Sequence, residues 1–313
     1  MRKRLFQIAW GLCLVLLFLL AGTDWIIKEE KKPVYQVSVL LESTTTNGWT
    51  QFQQGMDLAA RQYNLDVSYV TIFDAQEAEE QMTLLRREMD NGAEGIVLTT
   101  QNEWLLTHLV GEADSDVQVV SFGNQVDSPR LKATIQPNWS TVGRSLSASV
   151  ISQQGTQKQI DFIYTKANQV STELVANRLE EIFTGAGMSF QRIRLNQTNE
   201  AQALMQGLAQ EGGHVVITTE LELLESCGQY GSADVPLYGL GWSDRVWQLL
   251  EQGNITGVVV TDGFTGGFQT GEWLYQLLSG QTIQEARKAL PFVMVTKETL
   301  YQDQVAQLLF PIT

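Results

Sequence analysis

The chain has 313 residues, a formal net charge of −14, and only two histidines and two cysteines. Residues 1–32 hold six of the 21 basic residues and three of the 35 acidic ones, so residues 33–313 carry a net charge of −17. Such an acidic surface repels nucleic acid and anionic lipid headgroups, which argues against a nucleic-acid-binding protein, and we attribute the charge to solubility.

The first predicted element is an apolar helix at the N-terminus. Residues 2–4 are basic, and the 18 residues at positions 5–22 carry no formal charge. Roughly 20 mostly apolar residues cross a bilayer as a helix, and basic residues before the first span stay in the cytoplasm. The pattern predicts a single-pass cell-membrane protein in which residues 1–32 form a cytoplasmic stub, an anchor and a tether. The remainder of the chain is expected outside the cytoplasm.

A secretory signal that is cleaved after export is the alternative interpretation of this segment. Thr23 stands where a lipoprotein signal requires a cysteine, so lipid attachment is not predicted. The small-residue signal for ordinary cleavage is weak, while Trp25 and the mixed charges of residues 28–32 suit a membrane interface and a tether. We favour the uncleaved anchor over the secreted form.

Beyond the tether, short apolar runs alternate with amphipathic segments, which is the pattern of an α/β fold. In the helix near residues 49–63, apolar side chains recur at the three- and four-residue steps of one helix face. The predicted elements of this half are strand 34–41, helix 49–63, strand 65–72, helix 78–89, strand 96–98, helix 102–113 and strand 117–122.

The same alternation begins again after Pro137, where Asn138 is a candidate helix cap. The predicted elements are helix 138–152, strand 160–164, helix 171–183, strands 189–193 and 215–217, helix 220–230, strand 237–239, helix 243–251, strand 258–260, helix 268–278 and a docked C-terminal helix near 300–310. Apolar strands separated by helices imply parallel sheets covered on both faces. No Pro/Ser-rich linker separates the halves, so we expect packed lobes joined by short hinges.

The sequence lacks the motifs of catalysis and metal binding. His108 and His214 have no Cys or paired acids at ligand spacing, and His214 directly before an apolar strand is interpreted as structural. Cys227 is the only cysteine beyond the apolar segment, so no disulfide is expected there. The glycines of 263–271 lack the spacing of a dinucleotide site and are interpreted as a flexible turn before a helix. We predict no enzyme, no cofactor and no metal, and the apolar N-terminus excludes a DNA-binding domain.

Several segments resemble a known family in their order and spacing. They are VSVLLES at 37–43, NGW at 47–49, the helix holding Gly55 and Met56, NGAEGIVL at 91–98 and PLYGLGWS at 236–243. Residues 34–290 resemble the type I solute-binding proteins, the ribose-, galactose- and autoinducer-binding group of bacterial transport systems. This resemblance implies two Rossmann-like lobes around a cleft, linked by three crossovers, with the ligand enclosed by hinge closure.

The resemblance also implies the organisation of the solute-binding domain, which covers residues 33–313. Lobe 1 would consist of residues 34–135 and 262–290, and lobe 2 of residues 136–261 and 291–313. The crossovers would lie near Ile135, Thr261 and Leu290.

Candidate ligand-binding residues lie in the loops that follow the strands, since open α/β sheets bind ligands outside the carboxyl ends of their strands. They are Ser43, Asn47, Trp49, Gln101, Asn102, Asn124, Glu173, Thr219, Trp242, Thr261 and Asp262. The amides offer paired donors and acceptors for the hydroxyls of a sugar or another small polar ligand. Trp49 and Trp242 are candidates to pack against the C–H face of a pyranose, whereas Trp139 and Phe264 are better explained as covering hinge or helix edges.

The charged clamps of sugar-binding relatives are missing. Against the family pattern, an Asp-Arg pair becomes Gly123-Asn124, an Arg becomes Glu173 and an Asp becomes Gly241. Charged hydrogen bonds are stronger than neutral ones, so their loss predicts altered specificity.

The function implied is an anchored extracytoplasmic receptor that encloses a sugar-like or other small polar ligand for ABC-type uptake, with an ABC permease as partner. The alternative is a ligand-sensing subunit that presents its closed state to a membrane sensor kinase, because closure brings together two surfaces that a partner can recognise. An enzyme or a vestigial structural protein is the third and least favoured class. The acidic surface offers no dimer face, so we expect a monomeric ectodomain.

Overall fold

The computed structural model describes residues 2–22, 33–42, 49–72, 78–99, 116–123, 131–165, 170–232 and 234–309. Contacts divide the chain into two units, residues 1–34 and residues 35–313. The first unit contains helix α1 (Arg2–Gly22), whose side chains are exposed from residue 2 to residue 18. Within the described ranges, no helix combines the length and apolarity needed to cross a membrane.

The second unit is built from alternating strands and helices. The strands are β1 (Tyr35–Glu42), β2 (Leu65–Ile72), β3 (Gly95–Leu98), β4 (Gln118–Phe122), β5 (Leu131–Pro137), β6 (Gln159–Tyr164), β7 (Phe190–Arg194), β8 (His214–Thr218), β9 (Leu237–Leu240), β10 (Gly257–Thr261), β11 (Arg287–Leu290) and β12 (Phe292–Thr296). The helices are α2 (Thr50–Tyr63), α3 (Ala78–Asp90), α4 (Trp139–Gln154), α5 (Val170–Gly185), α6 (Ala201–Glu211), α7 (Leu221–Gln229), α8 (Asp244–Gln252), α9 (Gly263–Leu278) and α10 (Asp303–Leu309), with a 3₁₀ turn at Thr198–Glu200.

The strands form two six-stranded sheets. The first has the order β11-β5-β4-β3-β1-β2 and the second the order β12-β10-β9-β8-β6-β7. Every neighbouring pair in the first sheet is parallel. This architecture confirms the predicted α/β class with two parallel-dominated sheets. Helix 102–113 of the prediction lies outside the described residues.

The second sheet departs from the parallel prediction at one edge, where β12 pairs antiparallel with β10. The reason is the route of the chain. Strand β11 runs parallel to β5 in the first sheet, and only Pro291 separates its end from the start of β12 in the second sheet. The chain therefore enters the second sheet at the end where the other strands finish and must run in the opposite direction.

The chain passes between the two sheets three times. Strand β5 ends at Pro137 in the first sheet, and α4 then packs on α5 against the second sheet. Strand β10 ends at Thr261 in the second sheet, and α9 packs on α2 against the first. The third passage is the step from β11 to β12. All three passages lie at the same edge of the sheets, which makes that edge the place where the lobes meet.

Each sheet has apolar side chains packed on both faces. In the first sheet, alternate residues of β1 point to opposite faces, so Val39 joins a cluster with helices α2 and α9 while Leu40 joins a cluster with α3. In the second sheet, Ile217 packs with α4 and α5, and Val216 packs with α6, α7, α8 and α10. Burial on both faces explains why the central strands are continuous apolar runs.

Glycines allow helices α2 and α9 to pack with their backbones in contact. A Cβ atom on Gly55 would lie 2.0 Å from the carbonyl oxygen of Phe264, and one on Gly267 would lie 2.0 Å from that of Phe52. The interpretation of residues 263–271 as a flexible turn is therefore wrong. These residues begin helix α9, and their glycines are needed for close packing rather than for flexibility.

The interpretation of His214 as structural agrees with its surroundings. Its Nδ1 atom lies 2.6 Å from Oδ2 of the buried Asp161, whose Oδ1 accepts hydrogen bonds from Gln191 at 2.6 Å and Gln159 at 3.1 Å. The group joins β6, β7 and β8 inside the second sheet, so its carboxylate is satisfied by donors from the neighbouring strands.

Candidate functional site

A cavity of about 510 Å³ lies where the two sheets meet. Its volume is within the range of about 300–1,000 Å³ that is usual for small-molecule sites. The first sheet and its helices contribute Trp49, Thr50, Gln51, Phe52, Gln54, Phe122, Gly123, Pro137, Gly263 and Leu290. The second sheet and its helices contribute Trp139, Gly241, Trp242, Ser243, Asp244, Val260, Thr261 and Leu309.

The cavity lies at the carboxyl ends of the strands. Phe122, Pro137 and Leu290 are the last residues of β4, β5 and β11, and Thr261 is the last residue of β10. Parallel strands end at a common edge, and the loops that leave this edge are free to carry binding groups. The position of the cavity therefore follows from the topology of both sheets.

Trp242 is held in place by the glycine that precedes it. Gly241 leaves β9 with a φ of +105°, a conformation that other residues rarely adopt, and a Cβ there would lie 3.2 Å from Leu221 Cδ1. The role of Gly241 here is therefore conformational. It turns the chain so that Trp242 and Ser243 line the cavity.

The wall from the first sheet is aromatic. The ring of Trp49 meets Phe52 edge-on at a centroid distance of 5.9 Å and Phe122 at 6.1 Å, and Phe52 and Phe122 lie 4.5 Å apart. Phe52 and Phe122 are buried, whereas Trp49 is partly exposed. The indole is thus supported from behind by two rings and keeps surface available to the cavity.

The wall from the second sheet carries two more indoles. Trp242 packs against the core cluster beneath α7 and α8, and Trp139 packs against the cluster beneath α4 and α5. Trp49 packs against a third cluster, in the first sheet. Because Trp49 is held by the first sheet and the other two indoles by the second, the distance between Trp49 and those indoles depends on how the two sheets are placed.

The polar groups of the lining are mostly uncharged. Asp244 is the only charged side chain among the described lining residues, and no Lys or Arg is among them. Ser243 is already engaged, since its Oγ accepts from Val246 N at 3.1 Å and donates to Glu225 Oε1. Gln51 donates from Nε2 to the carbonyl oxygens of Leu308 at 3.1 Å and Leu309 at 3.0 Å. The lining thus suits a neutral ligand with apolar faces and polar edges.

The structure brings some of the predicted site residues together. Trp49, Trp242 and Thr261 line the cavity. Asp262 is next to Thr261 and caps α9, because its Oδ1 accepts from Thr265 N at 2.9 Å. The predicted residues Ser43, Asn47, Gln101, Asn102 and Asn124 lie outside the described residues.

Two predicted residues are not among the residues that line the cavity. Thr219 pairs its hydroxyl with that of Thr172 at 2.9 Å. Glu173 is half exposed on α5 and places Oε2 3.1 Å from an Arg192 guanidinium nitrogen on β7. Its helix turns the carboxylate along the outside of the lobe, where it is one of several acceptors around Arg192.

Other lining residues were not predicted from the sequence. Gln51 and Gln54 lie on the first turn of α2, and their polarity beside the aromatic Trp49 is the signal that could have identified them. Trp139 follows a crossover directly, which is a position where cleft residues are expected. Leu309 has no local signal, because it reaches the cavity only through the packing of α10 against the second sheet.

Among the described residues there is no metal centre, and the thiol of Cys227 is unreactive. No group of three His, Cys, Asp or Glu side chains within those ranges could hold a metal ion. Burial raises the pKa of the Cys227 thiol to about 12, so the sulfur remains protonated and is a poor nucleophile.

Comparison with known proteins agrees with the fold. An ABC transporter solute-binding protein from Agrobacterium vitis, bound with α-D-tagatopyranose, has a TM-score of 0.80, 13% identity and coverage of 89% of this chain and 100% of its own. A glucose-galactose binding protein from Geobacillus stearothermophilus has a TM-score of 0.77, 14% identity and coverage of 86% and 100%. A carbohydrate transporter solute-binding protein from Agrobacterium radiobacter, in complex with D-arabinose, has a TM-score of 0.77, 16% identity and coverage of 88% and 98%.

No curated protein sequence matches the chain significantly. The model of the periplasmic binding protein domain family matches residues 37–282, which include most of the residues that line the cavity and every strand except β11 and β12. Proteins of this family bind solutes outside the cytoplasm and are not enzymes. The predicted resemblance is confirmed, and the chain belongs to the periplasmic binding protein domain family.

Proposed function

We propose that the protein is an extracytoplasmic receptor that encloses a sugar-like or other small neutral polar ligand between its lobes, for delivery to an ABC-type permease. The observation that carries this proposal is the 510 Å³ cavity, lined from both lobes by three indoles and by mostly uncharged polar groups. Flat apolar rings suit the C–H faces of a sugar, and hydroxyl and amide groups suit its rim. Relatives of the same fold were solved with D-arabinose and α-D-tagatopyranose.

Within this site we assign the aromatic contacts to Trp49 and Trp242, and we include Trp139 because it lines the same cavity. The proposed polar contacts come from the strand-end loops. They are Ser43, Asn47, Gln101, Asn102, Asn124, Thr261 and Asp262, with Glu173 and Thr219 as more distant candidates. The lack of a described Arg or Lys in the lining favours an uncharged ligand over an anionic one.

The lobes proposed for closure are residues 34–135 with 262–290, and residues 136–261 with 291–313. Their support is the sheet order, in which β11 belongs to the first sheet and β12 to the second. We further propose that residues 1–32 anchor and tether the domain, with secretion after cleavage as the alternative. The support is the basic residues at 2–4 and the uncharged run at 5–22.

The second candidate is a sensing subunit that presents its ligand-closed state to a membrane sensor kinase. The observation that favours it is again the uncharged run at residues 5–22. As an anchor, this run would keep the domain beside a membrane partner. Affinity purification from membranes distinguishes the two roles. Recovery of permease subunits supports transport, and recovery of a sensor kinase without permease supports sensing.

Binding is tested by the melting temperature of the full-length protein against pentoses, hexoses, inositols, autoinducers and amino acids. Ligand at a hundredfold excess over Kd stabilises the native state by about 2.7 kcal/mol, which raises Tm by about 5 °C. A shift confined to one chemical class identifies the ligand. If no sugar and no inositol raised the melting temperature, the assignment of a sugar-like ligand would be contradicted.

The site is tested by substitution of Trp242 with Ala. We expect this variant to bind the ligand found in the melting-temperature panel at least about tenfold more weakly. Trp247→Ala is the matched control, because both indoles pack against the same core cluster but only Trp242 lines the cavity. Isothermal titration calorimetry measures both variants. Equal losses of affinity in the two variants would show that the effect is structural and would remove Trp242 from the site.

A further inference from the structure

A second cavity, of about 570 Å³, lies beside the first where the chain crosses between the lobes. Pro137 and Trp139 line both cavities. The first sheet lines the second cavity with residues of β5 and β11, and the second lobe lines it with the start of α4 and one side of α5. A molecule bound there would contact both lobes.

The second cavity is basic although the chain is acidic. It is lined by Arg178, Arg287 and Lys288, against the single carboxylate of Glu181. Residues 33–313 carry a net charge of −17, so three cations around one cavity contrast with the rest of the surface. Arg178 pairs with Glu181 at 2.5 Å, and Lys288 donates to Gln269 Oε1 at 2.5 Å. Arg287 also has a contact of its own, and the lining as a whole holds three cations against one carboxylate.

Two buried donors at this cavity have no acceptor. The Nε1 atom of Trp139 and the Nε atom of Arg178 are both inaccessible to solvent and make no hydrogen bond to the described residues. Buried polar groups are normally satisfied, so each such group requires an explanation. Both groups can only donate. Neither atom has accessible surface, so a ligand in the cavity could reach these donors only after the two side chains reorient.

The start of helix α4 adds to the preference for negative charge. Asn138 and Ser140 line the cavity, and Asn138 caps the helix by accepting from Thr141 N at 3.0 Å. The helix has 16 residues, and its N-terminus carries a partial positive charge that attracts anions. The helix end and the three cations of the lining favour the same kind of ligand.

We propose that this second cavity binds a small oxyanion, a phosphate or a carboxylate, held by Arg178, Arg287 and Lys288 beside the first turn of α4. Oxyanions supply only acceptors, and guanidinium groups match their geometry with paired N–H donors. The site adjoins the proposed sugar cavity, with which it shares Pro137 and Trp139 and whose described lining has no Lys or Arg.

Calorimetric titration of the full-length protein with inorganic phosphate, and separately with acetate, tests the proposal at constant ionic strength. We expect saturable binding of at least one anion. Phosphate alone or acetate alone would identify the preferred oxyanion, while no saturable heat with either would overturn the proposal. Substitution Arg178→Gln is expected to weaken binding at least tenfold.

Two further variants separate the site from general effects of charge and folding. Trp139→Phe keeps an aromatic ring and removes an N–H donor that has no accessible surface, so we expect it to bind the anion as the unsubstituted protein does. Arg61→Gln removes an exposed cation on α2 that does not line the cavity and should bind as the unsubstituted protein does. Equal binding by Arg178→Gln and Arg61→Gln, whether strong or weak, would overturn the proposal. Sugar titration of Arg178→Gln reports separately on the first cavity.

Discussion

At the scale of single residues, burial changes chemistry that the sequence leaves open. Cys227 is fully buried in α7, among the leucines of the core cluster beneath α7 and α8. Desolvation disfavours the thiolate and raises the pKa of Cys227 to about 12. The residue is therefore an apolar core group rather than a nucleophile or a metal ligand.

This burial predicts protection of Cys227 from alkylation. In a Cys13→Ser variant, we expect iodoacetamide at pH 8 to leave Cys227 unmodified in the native protein and to modify it fully in urea. Mass spectrometry measures the adduct. Rapid modification of the native protein would contradict the burial and the raised pKa.

The same raised pKa predicts how stability depends on alkaline pH. The unfolded thiol ionises near pH 9.0, while the folded thiol stays protonated until about pH 12. The contribution of Cys227 is therefore fully present below pH 9.0 and is lost as the pH rises towards 12. Between pH 9.0 and about pH 12, the free energy of unfolding in urea should fall less for the Cys227→Ala variant than for the unsubstituted protein.

At the scale of elements, the pair α2 and α9 supports the aromatic wall of the cavity. Gly267 is the critical position, since an added Cβ would meet the Phe52 carbonyl at 2.0 Å and the Met56 nitrogen at 2.9 Å. Neither the carbonyl group of Phe52 nor the backbone nitrogen of Met56 can move away from Gly267 without displacing Phe52. Helix packing and the wall of the binding site are therefore set by the same contact.

Substitution Gly267→Ala is expected to destabilise the protein by at least about 2 kcal/mol, because the helices must separate. Gly207→Ala on α6 is the control, since nothing lies within 4 Å of its added Cβ and alanine favours helix. We expect that control to be neutral or up to about 1 kcal/mol more stable. Urea denaturation compares them, and equal stability of both variants would contradict the close packing.

Helix α10 is joined to the other lobe through Gln51. Its side chain donates to the carbonyls of Leu308 and Leu309, which are C-terminal groups without partners inside their own helix. We expect Gln51→Ala to lower the protection of residues 303–309 in hydrogen exchange by about 1 kcal/mol. Gln62→Ala, on the exposed side of α2, should leave that protection unchanged. Unaltered exchange in both variants would show that the contact does not hold α10.

At the scale of the whole molecule, the position of the cavity between the lobes predicts closure. A ligand that contacts both lobes binds the closed arrangement more tightly and shifts the population towards it. We expect a saturating amount of the sugar found in the panel to lower the radius of gyration in small-angle X-ray scattering. Trp242→Ala at the same sugar concentration should show a smaller change. Saturable binding without compaction would argue against enclosure by the lobes.

The strands and helices of the core were predictable because each carries its own pattern. The predicted strand 65–72 coincides with β2, and Asn138 caps α4 as expected. Strands β11 and β12 were not predicted, because they are short strands at the sheet edges, where only Leu290 of β11 and Val295 and Thr296 of β12 are buried. Helix α6 was also missed, although Ala201, Met205 and Leu208 are buried at helical spacing.

The sequence alone determined the α/β class, the alternation of elements and the family, because periodicity and local motifs depend on neighbouring residues. It also indicated two tryptophans of the cavity. Trp49 directly precedes α2, and Trp242 follows β9 after Gly241. The tertiary structure decided which side chains share the cavity. Leu309 and Trp139 reach it through distant packing, and Glu173 instead faces Arg192. Contacts between residues far apart in the chain depend on crossovers and on helix packing, which no local pattern encodes.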